Sequence, residues 1–234
     1  QKNILLQEYI EGTAEFNISL NQAATIARIM AQMHNEVSDF KPSASRNWPG
    51  TLIQLVDNYI EQFENKSKPT TTKTIKNFDT LLHLIKSYKE QIVNIKLDCL
   101  DQGAIHGDIK IDNIKFKDNK LVGLLDFDDC RYSYFLEDIV NSLLLDFSDE
   151  KKSILGKDNV NLGVFLDSYN KIKKLSPEEK KAFSVFCLAR LIKSIFKDYF
   201  RLDTDKKKYT KRIEKNLQAI EANQEFLSTD IYIG

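Results

Sequence analysis

The chain has 234 residues, with 34 Lys+Arg balanced against 34 Asp+Glu, 42% hydrophobic residues and only 8 Gly and 4 Pro. Zero net charge removes any overall field that would steer the protein onto nucleic acid or an anionic membrane, so partners must be recognised locally. Disorder is excluded by 14 Phe and 9 Tyr in an ordinary apolar background, and the scarcity of Gly and Pro, about half their average usage, disfavours a turn-rich β sandwich.

In chain order, Gln1 to Glu11 reads as a strand running into Gly12. Ser19 and Gln22 form a capping box, and Leu20, Ala23, Ala24, Ala27, Met30, Ala31 and His34 repeat at helical spacing, predicting a helix over 20–36. After Trp48-Pro49-Gly50, residues Leu52, Leu55, Val56, Tyr59, Ile60 and Phe63 predict a helix ending near Asn65. A polar loop covers 66–73, and a helix over 78–93 carries Leu81, Leu82, Ile85 and Tyr88 on one face. Ile114 to Phe116 and Leu121 to Leu125, separated by Lys-Asp-Asn-Lys, predict a strand, turn and strand. Helical periodicity returns over 135–145 and 160–172. Ser176-Pro177-Glu178-Glu179 is a strong helix start, predicting a helix to about Phe200, and a last helix spans 206 to about 222. Lys206-Lys207-Lys208 reads as a solvated helix start.

Cys99, Cys130 and Cys187 are odd in number and widely spaced, which argues against a disulfide framework and for a reducing, cytoplasmic setting. The longest apolar runs fall far short of the roughly 18 residues a membrane helix needs. With His34, His83 and His106 as the only histidines and no cysteine cluster, a zinc site is not expected, and His34 and His83 read as helix-surface or packing residues.

The stretch with chemical content is Ala104-Ile-His106-Gly107-Asp108-Ile-Lys110-Ile-Asp112-Asn113, followed after the hairpin by Asp126-Phe127-Asp128-Asp129. Asp108 lies in a loop, Asn113 at its far end, and Asp126 leaves the partner strand. A hairpin that folds back brings its two ends together, so three oxygen-bearing side chains would face one cavity. Two of them, Asn113 and Asp126, suit a hard cation such as Mg²⁺, which takes one or two protein oxygens plus phosphate and water. The third, Asp108, can orient a substrate hydroxyl and accept its proton. A loop-capping carboxylate is the plainer reading of Asp108, and the joint spacing weighs against it: six fixed residues at about one in twenty each give roughly 10⁻⁸ per starting position.

HGDxxxxN at 106–113 with DFD at 126–128 resembles the aminoglycoside phosphotransferase and choline kinase-like superfamily of small-molecule kinases, which share the protein-kinase-like fold. The resemblance implies an α+β, mostly helical C-terminal lobe with a catalytic β hairpin. It also implies ATP and Mg²⁺ as cofactors, Asp108 as catalytic residue and Asn113 and Asp126 as metal ligands. Leu5 to Gly12 resembles the hinge after the last strand of an N-terminal lobe, which implies adenine contacts from the Glu8 carbonyl and the Ile10 amide. His106 would hold the loop, and Asp138, in Glu137-Asp138-Ile139, would buttress it. Asp128, Asp129 and Arg131 could reach an amine or carboxylate on the substrate, with surface charge on a turn as the alternative; Arg190, on an apolar helix face, could bind a carboxylate, with snorkelling or pairing with a buried Asp the commoner reading.

The expected organisation is a hinge strand over 1–12 from an absent N-terminal lobe, then a C-terminal lobe over 13–234. Within that lobe lie the catalytic loop 104–129 and a helical substrate subdomain from 51–93 and 160–222. The phosphate-covering loop and the strand lysine of the family do not precede Leu5, so the chain alone is expected to be a poor catalyst. Phe165 to Tyr169 and Leu175 through Arg190 resemble the C-terminal helices of bacterial homoserine kinases, which favours a small amino alcohol such as homoserine as the partner. Asp126 to Tyr132 resembles uncharacterised relatives instead, and Lys110 stands where protein kinases carry a lysine. Aminoglycosides, choline or ethanolamine, a protein substrate, and a silent nucleotide-binding or scaffold module remain the alternatives; no nucleic-acid or membrane partner is expected.

Overall fold

The computed structural model describes residues 9–14, 18–41, 50–65, 75–76, 78–145 and 160–221. Helix α1 (Leu20–Glu36) opens on its capping box: the Ser19 hydroxyl accepts from the Gln22 N–H at 3.3 Å and the Gln22 side-chain Oε1 accepts from the Ser19 N–H at 2.8 Å. These bonds satisfy two of the donors that every helix start leaves open. Helices α2 (Leu52–Asn65) and α3 (Phe78–Ile92) bury the stripes that the periodicity marks, Leu52, Val56, Ile60 and Phe63 on one and Leu81, Ile85 and Tyr88 on the other.

Four short strands follow. β1 (Gln102–Ile105) pairs antiparallel with β4 (Arg131–Tyr134), and β2 (Ile114–Lys117) pairs with β3 (Lys120–Leu124). Asp118 and Asn119 both take positive φ, 51° and 60°, which gives the β2–β3 hairpin a tight turn whose twist suits the strands it joins. Thr13 exchanges backbone hydrogen bonds with Phe116, at 2.9 and 3.0 Å. Of the expected hinge strand, residues 1–8 lie outside the described residues, and Tyr9 to Gly12 enter no ladder. Trp48, Pro49 and the loop over 66–73 also lie outside them.

The helices that close the chain are α4 (Phe135–Leu145), α5 (Val160–Asn170), α6 (Pro177–Tyr199) and α7 (Lys206–Glu221). Ser176 and Glu179 repeat the capping box at α6, with Pro177 as its first residue. α5 packs on α1, while α6 is the central strut and packs against α2, α3, α4 and α7. Phe183, Phe186, Phe196 and Ile192 on α6 are fully buried, a hydrophobic contribution of about 1.5–3 kcal/mol each. The fold is mostly helical with two small sheets, as the α+β expectation requires.

The two ladders position the site. Ile105 pairs with Arg131 and Ile114 with Leu124, so the 106–113 connection and the 125–130 connection run side by side between the sheets.

Candidate active site

The hairpin ends meet: the Leu125 N–H donates to the Asn113 carbonyl at 2.8 Å. Asn113, 6% exposed, donates through Nδ2 to the Asp108 backbone carbonyl at 2.8 Å and to its Oδ2 at 3.2 Å. With its amide nitrogen so engaged, the Asn113 Oδ1 remains available as a hard oxygen donor. Asp126 is exposed, sits in the left-handed region at φ 64° and ψ 68°, and makes no side-chain hydrogen bond among the described residues. An aspartate tolerates that backbone better than most residues, though at some cost, and such strain gathers at functional sites.

Lys110 is ion-paired to Asp108, Nζ to Oδ2 at 2.5 Å, and this bond raises its pKa against the small opposing effect of burial. Asp126 and Asp112 add to the rise, so one ammonium group senses three carboxylates of the loop. Among the described residues no three His, Cys, Asp or Glu side chains form a preassembled metal cage. A Mg²⁺ ion that completes its shell with phosphate and water needs only one or two protein oxygens, and the uncommitted oxygens of Asn113 and Asp126 fit that demand.

His106 is 1% exposed and holds both connections together. Its Nε2 lies 3.0 Å from the Leu125 carbonyl and its Nδ1 accepts the Asp108 N–H at 3.3 Å. A carbonyl only accepts and an amide N–H only donates, so the ring is assigned as the neutral Nε2–H tautomer. Phe127, half exposed, lies against it with ring centroids 4.4 Å apart.

The loop hangs from α4. Asp138 is fully buried in the first turn and accepts from the His106 N–H at 2.8 Å and the Gly107 N–H at 2.7 Å, while Asn141 donates to the Gly107 carbonyl at 3.1 Å. Burial opposes the Asp138 charge, but the His34 imidazole and the two backbone donors outweigh it and hold the carboxyl below its ordinary range.

Of the two readings of His34, helix surface or packing, the structure bears out packing, since the ring stacks on Phe135 with centroids 4.3 Å apart, and adds polar partners that the sequence did not show. It is fully buried, its Nε2 lies 3.2 Å from Asp138 Oδ2, and its Nδ1 lies 2.8 Å from the Tyr169 hydroxyl. A ladder of Tyr169, His34 and Asp138 therefore runs from α5 through α1 to the loop. Burial first, then neighbouring carboxylates, raises the Tyr169 pKa and keeps its hydroxyl protonated as a donor. The available signal was the position of His34 on the otherwise apolar stripe of α1.

Gly107 takes φ +84°, and a Cβ there would lie 2.4 Å from Arg131 Nη1 and from the Asp129 carbonyl. Arg131 fills that space. It donates to the Asp129 carbonyl at 3.1 Å and pairs with Glu137 at 2.6 Å, and Glu137, fully buried, also accepts from the Ser133 hydroxyl and, at 2.7 Å, from the Leu52 N–H at the start of α2. Arg131 is thus an internal brace. Asp128 and Asp129 are exposed and their carboxylates are uncommitted among the described residues. Ile10 packs beside Gly123 of β3, at the hairpin, and Glu8 lies outside the described residues.

The sequence profile of the phosphotransferase enzyme family (APH) matches residues 2–159, more than half of the chain. The chain belongs to this family. An uncharacterised protein of Synechocystis sp. is 27% identical over 217 residues, 89% of this chain and 56% of its own, so this member of the phosphotransferase enzyme family spans about half the length of that relative. The fold is similar to that of Plasmodium vivax ethanolamine kinase, with a TM-score of 0.64 at 14% identity over 97% of this chain and 67% of the other. It is similar also to a microcompartment-associated aminopropanol kinase, TM-score 0.63 at 14% identity, covering 93% of this chain and 66% of the other. An amicoumacin kinase in complex with AMP-PNP, Ca²⁺ and its antibiotic gives 0.63 at 14% identity over 93% and 63%. No helix among the described residues is long and apolar enough to cross a membrane.

Proposed function

We propose that the protein transfers the γ-phosphoryl group of ATP to a hydroxyl of a small amino alcohol, homoserine leading. The observation that carries this reading is the disposition of Asp108: a half-buried carboxylate fixed beside Asn113, at the end of the hairpin from which Asp126 emerges. Family membership supports the reaction class.

In the reaction, Asp108 Oδ receives the hydroxyl hydrogen bond of the acceptor and takes its proton as the oxygen attacks phosphorus, while ADP leaves with the displaced electron pair. Asn113 Oδ1 and the Asp126 carboxylate would hold Mg²⁺, which when bound supplies positive charge to the phosphate oxygens. Lys110 is ion-paired to Asp108 before substrate arrives and is near enough to share its ammonium with incoming phosphate. His106 and Asp138 keep the loop in shape rather than touching substrate, which supports their reading as positioning residues. The Ile10 amide and the Glu8 carbonyl are proposed to face the adenine, and Asp128 and Asp129, exposed and uncommitted, to attract the amine of the acceptor.

Residues 1–12 are read as the link to an N-terminal lobe and 13–234 as the C-terminal lobe of the whole protein. The test is phosphoryl transfer by the full-length protein across homoserine, 3-aminopropan-1-ol, ethanolamine, choline and an aminoglycoside, with Asp108→Asn as control. Turnover on an amino alcohol that falls about 10²- to 10⁴-fold in the variant is expected. Turnover on a peptide library with none on any alcohol would contradict the reading.

A further inference from the structure

The 125–130 connection carries Asp126 between two anchored ends. At its entry the Leu125 N–H is held by the Asn113 carbonyl and the Leu125 carbonyl by the His106 ring. At its exit Arg131 Nη1 donates to the Asp129 carbonyl at 3.1 Å. Between these points Asp126 sits in the left-handed region at φ 64°, a backbone that persists only where its surroundings fix it. The same guanidinium nitrogen and the same carbonyl lie against Gly107, so closely that a Cβ there would not fit. Gly107 is the residue before Asp108. Arg131 therefore touches both connections at once, the one that presents Asp108 and the one that presents Asp126.

The guanidinium is itself held from behind. Its Nη2 donates to Glu137 at 2.6 Å, and Glu137 also accepts from the Ser133 hydroxyl and, at 2.7 Å, from the N–H of Leu52, the first residue of α2. Arg131 and Glu137 are both buried. A buried ion pair of this kind carries a desolvation cost, and apolar side chains of similar volume commonly hold a fold as well or better. Arg131 Nε, also buried, makes no hydrogen bond among the described residues, which adds to that cost. What an apolar pair could not supply is a planar fork with one nitrogen on the acid and the other on the loop. The arrangement thus favours a defined position over stability.

We infer that Arg131 is a positioning residue: backed by Glu137 and the start of α2, it sets the spacing of the two connections and so places the Asp126 carboxylate relative to Asp108. This rests on the phosphotransferase reading above. Arg131 acts through the Asp129 carbonyl and Gly107 rather than by touching substrate or phosphate. Releasing the fork while keeping a charge beside Glu137 leaves the fold intact and weakens the hold of the site on a divalent cation.

The test compares the full-length protein with Arg131→Lys, which keeps a charge for Glu137 but offers a single nitrogen in place of the fork. Binding of Mn²⁺ in the presence of AMP-PNP, followed by electron paramagnetic resonance, needs no turnover. Loss of one charge-assisted hydrogen bond predicts Mn²⁺ binding weaker by roughly tenfold, with the circular dichroism of the wild type. A change of less than about twofold in folded Arg131→Lys would overturn the positioning role and leave Arg131 a structural ion pair. If Arg131→Lys does not fold, Arg131→Met with Glu137→Gln, which buries no charge, carries the same measurement with the same two outcomes. An Asp126→Ala background separates placement from general loosening. There the further effect of Arg131→Lys on Mn²⁺ binding should vanish, since no carboxylate is left to place, and a loss that persists would contradict the proposal. Failure of the reaction reads out separately. Arg131-dependent Mn²⁺ binding without turnover on any alcohol would sink the reaction and keep the positioning role, whereas turnover with Mn²⁺ binding indifferent to Arg131 would do the reverse.

Discussion

Replacing Asp138 with asparagine exchanges one oxygen for an NH₂ group and tests whether the 106–113 loop hangs from α4. The carboxylate accepts three hydrogen bonds with no exposure to water: Gly107 N–H on Oδ1, and His106 N–H and His34 Nε2 on Oδ2. Asparagine keeps one acceptor oxygen. Its best orientation retains the His106 and His34 side and turns an NH₂ group against the Gly107 N–H. An orphaned buried donor costs about 1–3 kcal/mol, and two charge-assisted bonds reduced to neutral ones lose about 1 kcal/mol each, for a total of about 3–5 kcal/mol. For a chain of this size that corresponds to a fall in Tm on the order of 10 °C, measured by circular dichroism. A second signature is the pH dependence. The folded Asp138 pKa lies below the unfolded value of about 3.9, so its stabilisation is fully present above about pH 4 and drains away as pH falls through the folded value. The gap between wild type and Asp138→Asn should therefore narrow under acid. A Tm within about 2 °C of wild type at pH 7 would refute the reasoning.

Gly107→Ala should be more damaging than its size suggests, since the new methyl meets Arg131 Nη1 and the Asp129 carbonyl at a φ of +84°. A loss on the order of 2–4 kcal/mol in urea unfolding is expected, with a wild-type midpoint contradicting the geometry. Arg131→Met strips Glu137 of its counter-charge while Glu137 stays fully buried, and should cost about 3–5 kcal/mol by the same assay. The double variant Arg131→Met with Glu137→Gln should recover part of that loss, and equal instability of the single and double variants would argue against a buried ion pair as the cause.

Much of the fold was legible because local signals agreed with the packing. The capping boxes at Ser19 and Ser176 fix helix starts to the residue, and the stripes of α1 to α3 predict the buried positions. The β2–β3 hairpin was legible from its turn chemistry, and so was the approach of its two ends, which sets Asn113 against Asp108. What stayed hidden depends on tertiary contact. β1 and β4 are four residues each, too short for periodicity to register, and β4 lies inside a stretch whose charges read as substrate-facing. Arg131 was read that way, yet it is 6% exposed because Glu137, six residues on, turns back from α4 to meet it. The packing role of His34 was legible, but its hydrogen bonds were not, because its partners, Asp138 and Tyr169, are 104 and 135 residues away.

The most direct test of the central claim is ³¹P NMR of the full-length protein with ATP, Mg²⁺ and homoserine, alongside Asp108→Asn. The account predicts loss of the γ-phosphate resonance with growth of ADP and of a phosphomonoester signal, both abolished on the same timescale in the variant. ADP accompanied by inorganic phosphate alone, or a phosphomonoester that forms equally well without the Asp108 carboxylate, would contradict it.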